Sequence, residues 1–106
     1  GSTNHMGLDI GFPTGTHVLA CEAGKVEMAG WNGGFGKCII ISHGGGLKTV
    51  YGHLSRINVT KGQAVVRGQF IGEVGSTGNS TGPHLHLGVV MNGSYVDPQK
   101  GWLSIP

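Results

Sequence analysis

Short apolar runs are separated along this chain by glycine-rich breaks. Lys25-Val26-Glu27-Met28-Ala29 alternates polar and apolar side chains, which is the period of a half-buried strand. Cys38-Ile39-Ile40-Ile41 is continuously apolar, as expected of a strand covered on both faces. Val18–Cys21, Leu47–Tyr51, Ala64–Val66, Phe70–Val74, Leu85–Met91 and Ser94–Val96 read as further short strands. Glu22-Ala23-Gly24 reads as a turn, and Gly44-Gly45-Gly46 and Asn92-Gly93 as hairpin turns. Gly30–Gly36 and Gly75–Pro83 are longer loops, and the tail from Asp97 onward is irregular. Parallel strands need long crossovers, for which there is no room. The expected fold is all-β: an antiparallel sheet or sandwich with short strands, Gly-rich loops and a groove over one sheet face.

Composition sharpens this picture. Twenty-two of the 106 residues are glycine, and the longest glycine-free stretch, His53–Lys61, is nine residues. A helix averages about 11–12 residues and each interior glycine costs about 1 kcal/mol relative to alanine, so helical architectures are excluded. No apolar stretch is long enough for a membrane span. An apolar fraction of 38% with only 11% charged residues argues against disorder. The seven Lys and Arg residues are scattered, so no nucleic-acid footprint is present. Gly1-Ser2 reads as a cleavage scar left by expression, and residues 3–106 as a single domain, expected to be monomeric. Cys21 and Cys38 are not in a C-x-x-C pair and read as small buried residues, with a disulfide between them as the minor alternative.

Six histidines outnumber the five carboxylates. His84-Leu85-His86 is the sharpest feature. On a strand, residues two apart share a face, about 6.5–7 Å apart, while Leu85 and Leu87 point to the other, buried side. One such histidine can bind a metal while the other stays free for proton transfer. His5 and Asp9, with Gly7 between them, can bend onto one metal, and a carboxylate within Leu8-Asp9-Ile10 is rarely buried without a partner. Three N/O ligands plus a water is the pattern of a catalytic zinc site. His53 is expected at the end of the Leu47–Tyr51 strand, overhanging a cleft. His43 reads as structural or surface, and His17 as an exposed strand position. Ser76–Thr81 lacks a nucleophile elbow and reads as loop and rim.

Taken together, His5-x-x-x-Asp9, Tyr51-Gly52-His53-Leu54-Ser55 and Gly75-Ser76-Thr77-Gly78-Asn79-Ser80-Thr81-Gly82-Pro83-His84-Leu85-His86 resemble the lysostaphin-type zinc endopeptidases, the LytM-like domains that cut bacterial peptidoglycan. The resemblance runs from His5 to about Trp102. It implies one zinc ion held by His5, Asp9 and His86, with His53 and His84 as the catalytic pair. It also implies peptidoglycan peptides as partners and an extracytoplasmic location. Tyr51, Gly34, Phe35, Asn79, Ser80 and Thr81 are expected to line the substrate groove, with Gly33, Gly36, Gly75, Gly78 and Gly82 leaving room for a peptide backbone. Leu87-Gly88 departs from the Phe-Glu more usual after the H-x-H pair.

Two other readings share these residues. A non-catalytic wall-binding or regulatory module of the same fold would have lost ligands, and here all are present. A histidine phosphocarrier of a sugar-transport system also sets paired histidines on a sheet, but it has no need of Asp9.

Overall fold

The computed structural model describes residues 7–97. Nine strands follow one another: β1 (Leu8–Gly11), β2 (His17–Leu19), β3 (Gly24–Trp31), β4 (Lys37–Gly44), β5 (Leu47–Ile57), β6 (Ala64–Val65), β7 (Phe70–Val74), β8 (His84–Met91) and β9 (Ser94–Val96). A single 3-10 turn, Gly33–Phe35, lies between β3 and β4. Among the described residues every strand pairing is antiparallel, in the order β1-β8-β5-β4-β3-β6. β7 pairs with β5 and β2, and β9 pairs with β8. The all-β antiparallel expectation holds, and among the described residues no helix is long and apolar enough to cross a membrane.

β3 and β4 are longer than the sequence reading, running to Trp31 and Gly44, and two elements differ from it more. β1 has no counterpart in it, because four residues containing a carboxylate and ending in glycine give too short a pattern to register as a strand. It exists through its pairing with β8, Leu8 facing Leu87 and Gly11 facing His84. β5 does not stop at Tyr51 but runs on to Ile57. Along one edge it keeps β4, while the other edge passes from β8, up to Gly52, to β7, from Leu54 onward.

His53 sits at this handover. Lys37 faces Leu54 and Ile39 faces Tyr51, so the lone residue Cys38 is opposed by two, Gly52 and His53. That is a β-bulge, and His53 takes φ 61° within it. The expected strand end is therefore a bulge inside a longer strand. Strict alternation would put His53 on the face of Tyr51. The extra residue instead lets Tyr51 and Leu54, three apart, both enter the core.

The core gathers Val18, Val26, Ile39, Ile41, Tyr51, Leu54, Ile71, Val74, Leu85 and Leu87. Each such aliphatic side chain contributes about 1.5–3 kcal/mol when fully buried. Cys38 lies on β4 and Cys21 in the bend after β2; both are buried and free, and burial pushes their thiols up. Tyr51 is 1% exposed. Its hydroxyl accepts the Cys21 N–H at 3.0 Å and hydrogen-bonds the Thr49 hydroxyl at 2.8 Å. His43 continues this chain: Nε2 is 2.8 Å from Thr49 Oγ1, and Nδ1 donates to the Ala23 carbonyl at 2.7 Å. His43 is thus structural, tying β4 and β5 to the bend before β3, and His17 is exposed on β2 as expected.

Replacing Tyr51 by Phe leaves the Cys21 N–H without its acceptor. The expected loss is about 1–3 kcal/mol, read as a lower urea midpoint at unchanged slope. Burial, followed by the neighbouring Cys21 thiol, also raises the Tyr51 phenol well above its ordinary value. The folded chain then holds that proton more tightly than the unfolded chain. The stabilisation is complete below about pH 10, the unfolded phenol value, and declines as pH rises above it. Urea titrations from about pH 8 to about pH 11 should therefore show a steeper loss for the wild type than for Tyr51→Phe, since both proteins keep the two thiols.

Candidate active site

β8 carries the two histidines of the H-x-H pair, and β1 lies against it with Asp9 facing His86. Asp9 Oδ1 is 2.9 Å from His86 Nδ1 and 3.5 Å from His84 Nε2. Asp9 has the expected partner without the expected burial: its side chain is 44% exposed, whereas that of His86 is 4% exposed. The Phe35 ring packs on His86 with centroids 4.8 Å apart. His5 lies outside the described residues. Among the described residues no group of three His, Cys, Asp or Glu side chains is placed to hold a metal ion. Asp9 and His86 nonetheless present a carboxylate oxygen and an imidazole nitrogen at one point, the donor types that zinc accepts.

His53 and His84 stand beside this pair, their rings 4.7 Å apart and tilted by 49°. The Gly75–Pro83 loop holds both by the same nitrogen. His53 Nδ1 donates to the Thr77 carbonyl at 2.7 Å, and His84 Nδ1 donates to the Gly82 carbonyl at 2.9 Å. Ser80 Oγ, 3.1 Å from His84 Nδ1, also donates to Gly82 at 2.7 Å. A neutral imidazole that donates through Nδ1 keeps its lone pair on Nε2. In both histidines Nε2 is thus the nitrogen not taken by the loop, and that of His84 lies 3.5 Å from Asp9 Oδ1.

A groove of about 450 Å³ runs over this cluster, lined by Asp9, His53, His84 and His86 below and by Gly34, Phe35, Asn79, Ser80 and Thr81 at the rim. Tyr51 is not part of it. It faces Leu87 across the β5–β8 pairing and so shares the leucine's core side. The glycines also serve a different purpose from the one expected. A Cβ on Gly36 would collide with Thr77, and one on Gly78 would collide with the backbone of Gly34 and Gly36. They let the Gly33–Phe35 turn and the Gly75–Pro83 loop touch, an approach sealed by the Asn79 N–H donating to Gly34 at 2.8 Å. Of the six glycines expected along the groove, only Gly34 lines it. Thr77 does not stand out in the sequence because it is one of several Ser and Thr residues in a polar loop, with nothing local to mark it.

The chain and its fold have counterparts among known proteins. The family model described as Peptidase family M23 matches residues 3–98. The DD-carboxypeptidase/endopeptidase Mpg of Neisseria meningitidis is 43% identical over 102 residues, which are 96% of this chain and 24% of that protein. The structure of a zinc containing peptidase from Vibrio cholerae superposes with a TM-score of 0.88 at 40% identity, covering 96% of this chain and 31% of the other. The catalytic domain of the antimicrobial peptidase lysostaphin from Staphylococcus simulans superposes with a TM-score of 0.83 at 42% identity, covering 89% and 75%. The chain spans about a quarter of the length of the curated relatives it matches. By the match over nearly its whole length, the chain belongs to peptidase family M23.

Proposed function

We propose that this chain is a zinc-dependent endopeptidase domain that hydrolyses peptide bonds, cross-bridge or stem, in bacterial cell-wall peptidoglycan outside the cytoplasm. The observation that carries the reading is the set of side chains on one groove floor: two imidazoles fixed through Nδ1, beside an Asp–His pair. Membership of the M23 family and the peptidase relatives supply the reaction class.

The metal would be held by Asp9 and His86, with His5 as the third ligand implied by the sequence motif. Bound there, zinc supplies Lewis acidity toward the scissile carbonyl and lowers the pKa of a coordinated water. The protein's own contribution is proton handling and positioning. One of His53 and His84 takes a proton from the attacking water at Nε2 and passes it to the departing amine. The other, protonated at Nε2, donates to the carbonyl oxygen as that oxygen gains charge. The loop carbonyls of Thr77 and Gly82 keep the rings aimed into the groove while this happens. Gly34, Phe35, Asn79, Ser80 and Thr81 line the groove that takes an extended peptide in this reading.

The direct test is incubation of the zinc-loaded chain with purified peptidoglycans of different cross-bridge type. Release of new amino groups, with fragment masses locating the cleaved bond, is the expected result. No release from any of them would reject the reading. His53→Ala and His84→Ala should each lower kcat by about 10²–10⁴-fold. Asp9→Ala and His86→Ala should reduce bound zinc as measured by elemental analysis. A chelator should abolish turnover, and added zinc should restore it.

A further inference from the structure

Thr77 does not line the groove, yet it is bonded to three residues at the bulge, Lys37, His53 and Leu54. Its hydroxyl accepts the Lys37 N–H at 3.0 Å and donates to the Leu54 carbonyl at 2.7 Å. Lys37 and Leu54 are partners in the β4–β5 pairing. The hydroxyl therefore bridges two backbone groups of facing residues, at the first paired position beyond the bulge. The carbonyl of the same residue accepts the His53 Nδ1–H at 2.7 Å. One residue thus fastens the Gly75–Pro83 loop to both strands that frame the bulge and to the imidazole the bulge presents.

The chemistry demands a hydroxyl. Only a group that donates and accepts at one atom can join an N–H to a C=O. Valine has nearly the same shape and can do neither. The approach also demands small neighbours, which Gly36 and Gly78 supply on either side of Thr77. His53 itself has φ 61°, a backbone conformation that non-glycine residues seldom adopt and that surrounding contacts must hold.

We infer that Thr77 is a positioning residue that locks His53 in the tautomer protonated at Nδ1, and so makes Nε2 the nitrogen that works in the groove. The tautomer lock stands on the hydrogen bonds alone. Its effect on turnover rests on the peptidase reading above. A displacement of about 1 Å in a catalytic group costs on the order of 10²-fold in rate, which sets the expected effect of loosening this anchor.

The experiment compares wild type, Thr77→Ser and Thr77→Val by long-range ¹H–¹⁵N NMR of the imidazole nitrogens, and by steady-state kinetics on peptidoglycan fragments. With neutral rings, wild type and Thr77→Ser should show His53 protonated on Nδ1, and Thr77→Val a mixture of tautomers. Thr77→Val should lose about 10²-fold in kcat with KM nearly unchanged, and Thr77→Ser should recover most of it. A wild-type His53 protonated on Nε2 would overturn the inference, as would an unaltered tautomer in Thr77→Val or a Thr77→Ser variant as impaired as Thr77→Val. If Thr77→Val does not fold, Thr77→Ala is judged by the same criteria, and the wild-type tautomer remains decisive against the lock. Absence of peptidoglycan cleavage by the wild type would sink the proposed function, while the tautomer seen by NMR would still decide for or against the lock.

Discussion

The site depends on one extra residue in β5. Between the pairs Tyr51–Ile39 and Leu54–Lys37, two residues oppose one, and the alternation of faces shifts by one place. Tyr51 and Leu54 both enter the core, and His53, between them, reaches the histidines of β8. A non-glycine residue held in the left-handed region costs on the order of 1–3 kcal/mol. The surroundings supply the restraint: β4 runs along one edge, β8 and then β7 occupy the other, and a loop carbonyl grips the ring. The strain is what lets a side chain cross from the core face to the groove face of the same strand.

β8 is the common wall of core and groove. Leu85 and Leu87 are buried among the apolar side chains, while His84 and His86, between and beside them, face the groove. β1 adds little to the core, but it places Asp9 opposite His86, so a four-residue edge strand completes the polar cluster. His86 is held by Asp9 and the Phe35 ring, and His53 and His84 by backbone carbonyls. The ring and the carbonyls hold geometry without adding further ionisable groups to the groove.

Much of this was legible in the sequence because it is local. The H-x-H alternation placed two histidines on one face and two leucines on the other, and Asn92-Gly93 and Gly44–Gly46 did mark hairpins. What could not be read was set by partners distant in the chain. β1 is a strand because β8 is beside it. Gly52-His53 looks like a strand end because a positive-φ residue after a glycine interrupts the pattern, whereas in three dimensions β7 takes over where β8 leaves off. Tyr51, two residues before a motif histidine, reads as a groove residue; its side is decided by Leu87, thirty-six positions away. Gly36 and Gly78 read as space for a ligand, but they make space for each other's loops.

The two faces of β8 also govern where this chain can change length. One residue inserted or deleted between Pro83 and Asn92 would trade leucines for histidines on both sides at once, drowning imidazoles in the core and stranding aliphatics in the groove. β1 and β9 lie end to end along one edge of that strand, so an insertion there would also break alignment with one or the other. The connection holding Thr77 and Gly78 is equally intolerant, because it is packed against a second loop. Room for evolutionary lengthening is left in exposed turns such as Thr60–Gly62 and Val66–Gly68, neither of which lines the groove. In related chains, indels should collect at those turns, while the segment from Gly75 to Asn92 keeps a constant count of residues.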